Sequence, residues 1–202
     1  MKQSGVSKEK TSPNDDRMAD HKPQSKNLFD YNIFLIGFMG AGKSTVADNL
    51  EKMSGMKRIE MDMLIQKQKG MSIPEIFEAF GESYFRDLES ELLIELQQKS
   101  PSIVSCGGGI VIRSENAEHM KKNGRVIWLK AEPQTIYERV KDSGERPILN
   151  NNMNVEFIKD LFEKRRKKYE KAADLIIETD GKNIVEICEE IISKLMLLDK
   201  QN

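Results

Sequence analysis

Three features of the sequence predict an α/β three-layer sandwich, a parallel sheet with helices on both faces. Short β-rich runs alternate with longer runs in helical register from Tyr31 onward. The short runs, among them NIFLI, SIVSC and RVIWLK, are apolar almost without a break. The first of them leads through a glycine-rich turn into a helix. Strands with one solvated face alternate apolar and polar residues, so nearly continuous apolar strands imply helices on both sides, and strand–helix alternation implies parallel pairing.

The elements follow in order. YNIFLI reads as a buried strand, and the helix after it opens inside the glycine-rich turn, at Lys43-Ser44. KRIEM is the weakest strand pattern; SIVSC, RVIWLK and DLIIET are stronger. Between and after them ELLIELQQKS, SENAEHMKKN, PQTIYERVKDS and VEFIKDLFEKRRKKYEKAA carry apolar residues at helical spacing. Asn123-Gly124 marks a helix end, Pro133 suits the first turn of the next helix, and VEICEEIISKLMLL forms the last. Residues 1–27 hold almost nothing apolar and are expected to be a disordered tail or linker. Residues 28–202 are expected to form one domain, and no repeat divides it.

With 32 basic and 33 acidic residues the formal net charge is −1, which argues against a dominant nucleic-acid or membrane surface. No apolar run approaches the ~20 residues of a membrane helix, and the N-terminus lacks the apolar middle of a signal peptide. Cys106 and Cys188 lie far apart and form neither a disulfide framework nor a zinc pattern, so a reducing, cytoplasmic compartment is expected. Mean hydropathy is −0.57, in keeping with charged helix surfaces.

GFMGAGKST carries the first chemistry. Glycine, four residues, then Gly-Lys-Ser is the phosphate-cradling P-loop, and here it follows a strand and opens a helix, as its mechanism requires. Gly37, Gly40 and Gly42 let successive backbone N–H groups turn toward phosphate oxygens, and the helix start adds its positive dipole end. Lys43 is placed for the β- and γ-phosphates and Ser44 for Mg²⁺, with Gly40, Ala41, Gly42 and Thr45 completing the cradle.

Four further stretches are unusual for a plain nucleotide binder. In IEMDML, Glu60 and Asp62 are expected to end the second strand, where carboxylates meet a metal and a substrate hydroxyl; two solvated acids are the bland alternative. In GESYFRDLE, Arg86 and Glu89 have the spacing of a helix-surface salt bridge. In SCGGGIV, three consecutive glycines cost chain entropy and imply close approach, either by a tight turn or by a ligand; Cys106 beside them reads as a small buried filler. YERVKDSGERPILNNNMN places Arg139 on a helix and Arg146 in a polar connection that reads as a mobile lid over about 144–154.

Taken together these residues resemble the shikimate kinase family. GFMGAGKST, an acid-x-Asp pair, FRxxE, SCGGG, RPIL and an arginine four residues before a tyrosine occur in the family's order across the whole folded region. The resemblance implies a P-loop NTPase-type sandwich with five parallel strands in the order 2-3-1-4-5. It implies ATP-dependent phosphorylation of the 3-hydroxyl of shikimate, in chorismate and aromatic amino-acid biosynthesis, with Mg²⁺. Asp62 matches the aspartate that contacts that hydroxyl and is proposed as its base, and Arg86 and Arg165 the pair that grips the shikimate carboxylate. Gly107, Gly108 and Gly109 match the turn that contacts substrate, Arg146 the lid arginine on the phosphates, and Arg139 the one stacking on adenine. Ser44 and Glu60 are the expected metal ligands. ATP and shikimate are the expected partners of a monomer, with neither nucleic acid nor membrane.

Two positions depart from the family pattern. Glu60 stands where an aspartate is usual, which keeps the charge and adds one methylene of reach. In FEKRRKKY, Lys167 replaces a common proline, and Arg166 lies beside Arg165, so the carboxylate contact can fall on either. Helix neighbours point ~100° apart, so only one can face the site, and Arg165 is the expected one. Asp62, FRxxE and the triple glycine favour shikimate over a gluconate kinase; nothing specifies the base-recognition pocket of a nucleoside monophosphate kinase, and intact Lys43, Ser44, Asp62 and Arg146 argue against a non-catalytic nucleotide-binding module. His21 and His119 have no partners that suggest a metal or a triad, Trp128 reads as sheet core, and Met39 and Met63 flank the site.

Overall fold

The computed structural model describes residues 27–141 and 154–201. Residues 1–26, which hold nearly all of the expected tail, and 142–153, which hold Arg146 and nearly all of the expected lid, lie outside the described residues.

Strands β1 (Asn32–Ile36), β2 (Lys57–Glu60), β3 (Ser102–Ser105), β4 (Gly124–Lys130) and β5 (Leu175–Glu178) form one parallel sheet in the order β2-β3-β1-β4-β5. Register runs from Ile33 to Ile103 on one side of β1 and from Ile33 to Arg125 on the other. This is the sandwich that the strand–helix alternation predicts, in the strand order that the resemblance implies. The α-helices are α1 (Lys43–Ser54), α2 (Met61–Lys69), α3 (Ile73–Leu96), α4 (Ser114–Asn123), α5 (Pro133–Val140), α6 (Val155–Ala172) and α7 (Ile184–Asp199).

Alternate residues of each strand feed two cores. Ile33, Leu35, Ile103 and Ile127 pack with Val46, Leu50, Ile187 and Ile191 of α1 and α7. Phe34, Ile36, Val104 and Trp128 pack on the other face with side chains of α3 to α6, including Leu92, Ile136, Phe162 and Tyr169. Trp128 is 1% exposed and stacks on Tyr169 at 5.6 Å, the core position expected for it. Packing begins at the N-terminal edge with Phe29, which is buried in the α1/α7 core.

Local sequence sets the helix ends that matter for the site. Ser72 and Glu75 cap α3 reciprocally, with Pro74 in its first turn. Within α3, Gly81 takes φ +81° and ψ 168°, a kink between two helical pieces that only glycine accommodates readily. The second piece carries Arg86 and Glu89 down toward the C-terminal ends of β1 and β3.

Candidate active site

Parallel strands aim their C-terminal ends at one edge of the sheet, and the ends of β1, β2 and β3 bring the P-loop, Glu60 and the triple glycine together there. The P-loop takes the strained turns its sequence predicts. Gly37 has φ +146°, and a side chain there would meet the Leu129 carbonyl oxygen at 2.5 Å. Lys43, at the first turn of α1, folds back and donates to the carbonyl oxygens of Gly37 at 2.9 Å and Phe38 at 3.1 Å. Ser44 and Thr45 are exposed at the mouth of the loop. Arg139, on the exposed last turn of α5, reaches across to donate to the Gly40 carbonyl at 3.3 Å.

Glu60 ends β2 as expected, but Asp62 does not share that strand end. It lies in the first turn of α2, which starts at Met61, immediately after the strand. The helical turn rotates the Asp62 carboxylate inward, toward Gly107, where a strand would have alternated the two acids onto one face. Glu60 instead turns toward α1 and accepts a hydrogen bond from Ser44 Oγ at 3.1 Å. Burial pushes the Glu60 carboxyl up, against hydrogen bonds from Ser105 and Ser44 and the charges of Arg58 and Lys43.

The three glycines are the floor on which the remaining groups converge. A side chain at Gly107 would collide with Glu89 Oε1 and approach Asp62 Oδ1 at 2.8 Å, and one at Gly109 would collide with the Arg86 guanidinium. Gly108 packs against the P-loop, 3.3 Å from the Met39 amide nitrogen by the same measure. Its carbonyl accepts hydrogen bonds from Tyr169 Oη at 2.5 Å and Arg165 Nη1 at 3.3 Å, both from α6. Close approach by three charged side chains at Gly107 and Gly109, and by the P-loop backbone at Gly108, is therefore a sufficient reason for the glycines.

Arg86 and Glu89 form a buried pair at 2.6 Å, not a surface bridge, and Glu82 adds a second carboxylate at 2.6 Å. Burial alone would lower the Arg86 guanidinium, but Glu89 and Glu82 outweigh it and hold it above its ordinary range. Burial raises the Glu89 carboxyl to about 7, with Arg86 opposing and the nearby Asp62 adding to the rise. Burial also pushes the Tyr169 hydroxyl up to about 12, so it remains a neutral donor. The Cys106 thiol is raised by burial too, which makes it an inert filler.

Arg165 and Arg166 part as helix geometry requires. Arg165 is 8% exposed and lies over the Phe38 ring at 5.9 Å, beside the glycine turn. Arg166 pairs with Glu163 at 3.1 Å on the outer face of α6 and lines a separate cleft of about 440 Å³ with Lys130 and Phe162. Met63 is mostly exposed on α2, whereas Met39 packs against the core. Two contributors escaped the sequence reading, and a third entered it without its role. Glu82 is four residues before Arg86 and Arg58 two before Glu60, so each spacing placed the pair on one face. Tyr169 enters the sequence pattern only as the tyrosine four residues after Arg165, and nothing local marks it as the partner of a carbonyl 61 residues away.

The comparisons with known proteins meet this geometry. The profile of one family, shikimate kinase, matches residues 39–196. The chain belongs to the shikimate kinase family. It is 44% identical over 164 residues to a shikimate kinase from Persephonella marina, covering 81% of this chain and 98% of that one. A shikimate kinase from Acinetobacter baumannii in complex with shikimate superposes with a TM-score of 0.82 at 30% identity, over 89% of this chain and all of the other. A gluconokinase from Sinorhizobium meliloti, at 16% identity and a TM-score of 0.55 over 86% of this chain and 95% of that one, shares the fold alone. As a shikimate kinase family member the chain is a phosphotransferase acting on small molecules.

Proposed function

We propose that this protein transfers the γ-phosphoryl group of ATP to the 3-hydroxyl of shikimate, giving shikimate 3-phosphate and ADP for chorismate and aromatic amino-acid biosynthesis. One observation carries the reading: two buried arginines, Arg86 and Arg165, flank the glycine floor beside Asp62, directly against the P-loop. Buried guanidinium groups suit a planar carboxylate, which they can hold bidentately. The Acinetobacter baumannii relative, in complex with shikimate, supports the choice of acid.

In this reading Arg86 and Arg165 grip the shikimate carboxylate, with Glu89 and Glu82 holding Arg86 in line. Asp62 accepts the proton of the 3-hydroxyl as its oxygen bonds to the γ-phosphorus and the bond to the ADP oxygen breaks. Lys43 turns from the loop carbonyls to the phosphates, and Arg139 lies against adenine. Arg146, outside the described residues, closes on the phosphates. Alignment and charge neutralisation supply most of the acceleration.

The Mg²⁺ ion of the reaction fits the oxygen donors present, the Ser44 hydroxyl and the Glu60 carboxylate, whose Oε2 faces that hydroxyl at 3.1 Å. Among the described residues no group of three or more His, Cys, Asp and Glu side chains could hold a metal alone. That suits a hard cation that keeps waters and binds nucleotide phosphates. When bound it neutralises phosphate charge. Residues 28–202 act as one catalytic unit, a cytoplasmic monomer with neither nucleic acid nor membrane as partner. No helix among the described residues is long and apolar enough to cross a membrane.

The test is ADP release from Mg-ATP with shikimate and gluconate side by side. Turnover that depends on shikimate is expected; turnover on gluconate, or on neither acid, refutes the assignment. Asp62→Asn should lower kcat about 10²-fold or more while leaving ADP affinity unchanged.

A further inference from the structure

The departure at Glu60 has a companion two residues earlier on β2. Arg58 and Glu60 share one face of the strand and look onto a stripe of α1 formed by Ser44, Asp48 and Glu51, spaced four and three residues apart. The charges interlock along that seam. Arg58 Nε contacts Asp48 at 2.5 Å and Glu51 at 3.6 Å, and the Arg58 backbone N–H donates to Glu51 Oε1 at 3.0 Å. At its other end Arg58 Nη1 lies 3.6 Å from Glu60 Oε1. The two oxygens of Glu60 are thus divided, Oε1 toward Arg58 and Oε2 toward Ser44 Oγ.

We propose that Arg58 is a positioning residue for Glu60. Anchored from behind by Asp48 and Glu51, it holds Oε1 back and aims Oε2 at the Ser44 hydroxyl, where the nucleotide-borne Mg²⁺ is read to bind. A glutamate has one more rotatable bond than an aspartate, so a free carboxylate here would have to be ordered when the cation arrives. Arg58 supplies part of that order in advance, alongside the hydrogen bonds from Ser44 and Ser105. It also repels the cation, but its side chain is 37% exposed, so water screens the repulsion. Asp48 and Glu51 beside it offset its charge further, so ordering outweighs repulsion. The proposal rests on the metal reading given above.

The experiment is ADP binding by titration calorimetry, with and without Mg²⁺, for wild type, R58M, E60D and the double variant. In R58M the gain in ADP affinity from Mg²⁺ should shrink roughly threefold, the low end of the cost of ordering one side chain, because Ser44 and Ser105 still hold Glu60. Metal-free ADP affinity should be unchanged, which shows the P-loop intact. In the E60D background the shorter carboxylate no longer reaches Arg58, so R58M should have no further effect. An R58M chain with the wild-type Mg²⁺ response, a tighter one, or the same loss in both backgrounds overturns the proposal. A wild type whose ADP affinity ignores Mg²⁺ overturns the metal reading and the role of Arg58 with it, whereas an unaltered R58M beside a responsive wild type overturns Arg58 alone.

Discussion

Replacing Gly109 with alanine isolates what Arg86 contributes. The Gly109 backbone has φ −103° and ψ 0°, which alanine can also adopt, so the substitution acts through its new methyl group. That methyl lands on the Arg86 guanidinium, against Nη1, Cζ and Nη2 together. The group is not free to drift, since Glu89 holds Nη1 at 2.6 Å while Glu82 holds Nη2 at 2.6 Å and Nε at 3.1 Å. Glu82 is 53% exposed and Glu89 is fully buried, so the guanidinium must swing toward Glu82 and abandon Glu89. Breaking a buried pair costs about 3–5 kcal/mol. The lower end applies to folding here, because Arg86 keeps one partner. Misplacing one arm of a desolvated charge contact costs ~2–5 kcal/mol in binding. With Arg165 untouched the lower figure applies again, about 30-fold in the KM for shikimate at 1.4 kcal/mol per decade. The assay is ADP release at saturating Mg-ATP with shikimate varied, and the KM for ATP serves as control. A folded Gly109→Ala chain with a wild-type KM for shikimate would refute the placement of the carboxylate on Arg86.

The other predictions test the rest of the floor. Arg165→Ala should raise the KM for shikimate by ~2–5 kcal/mol equivalent and Arg166→Ala should not; the reverse result moves the contact by one residue. Tyr169→Phe keeps the ring on Trp128 and loses the bond to the Gly108 carbonyl, which should raise that KM about threefold to tenfold at nearly constant kcat. A fall in kcat at constant KM would contradict a positioning role. The Glu89 carboxyl holds its proton to about pH 7 in the fold against 4.5 ordinarily, so its contribution to stability is present below 4.5 and lost as pH rises to 7. Relative to Glu89→Gln, the wild type should lose stability as pH rises across that window. Melting profiles of the two that run parallel from pH 4.5 to 7 would reject the raised pKa.

How much of this was legible depends on how far apart the cooperating residues are in the chain. The nucleotide cradle is a local object, built from nine consecutive residues that run from a strand end into the first turn of a helix, and its backbone geometry follows from its glycines. Arg86 and Glu89 were legible as a pair for the same reason, but not as a buried one. Burial is decided by what α6 and the triple glycine bring against them, and those segments are tens of residues away. Asp62 shows the opposite limit. Periodicity over IEMDML does not distinguish a strand that continues from one that yields to a helix at Met61, and that single boundary decides which way the carboxylate faces. The triple glycine announced close approach without saying by what; the answer, Asp62, Glu89 and Arg86 from two helices, exists only after the sheet has assembled. The acceptor site is therefore a product of long-range packing. Its residue types were readable from the chain through resemblance to a family, and their convergence follows from the parallel sheet that directs every one of those segments to the same edge.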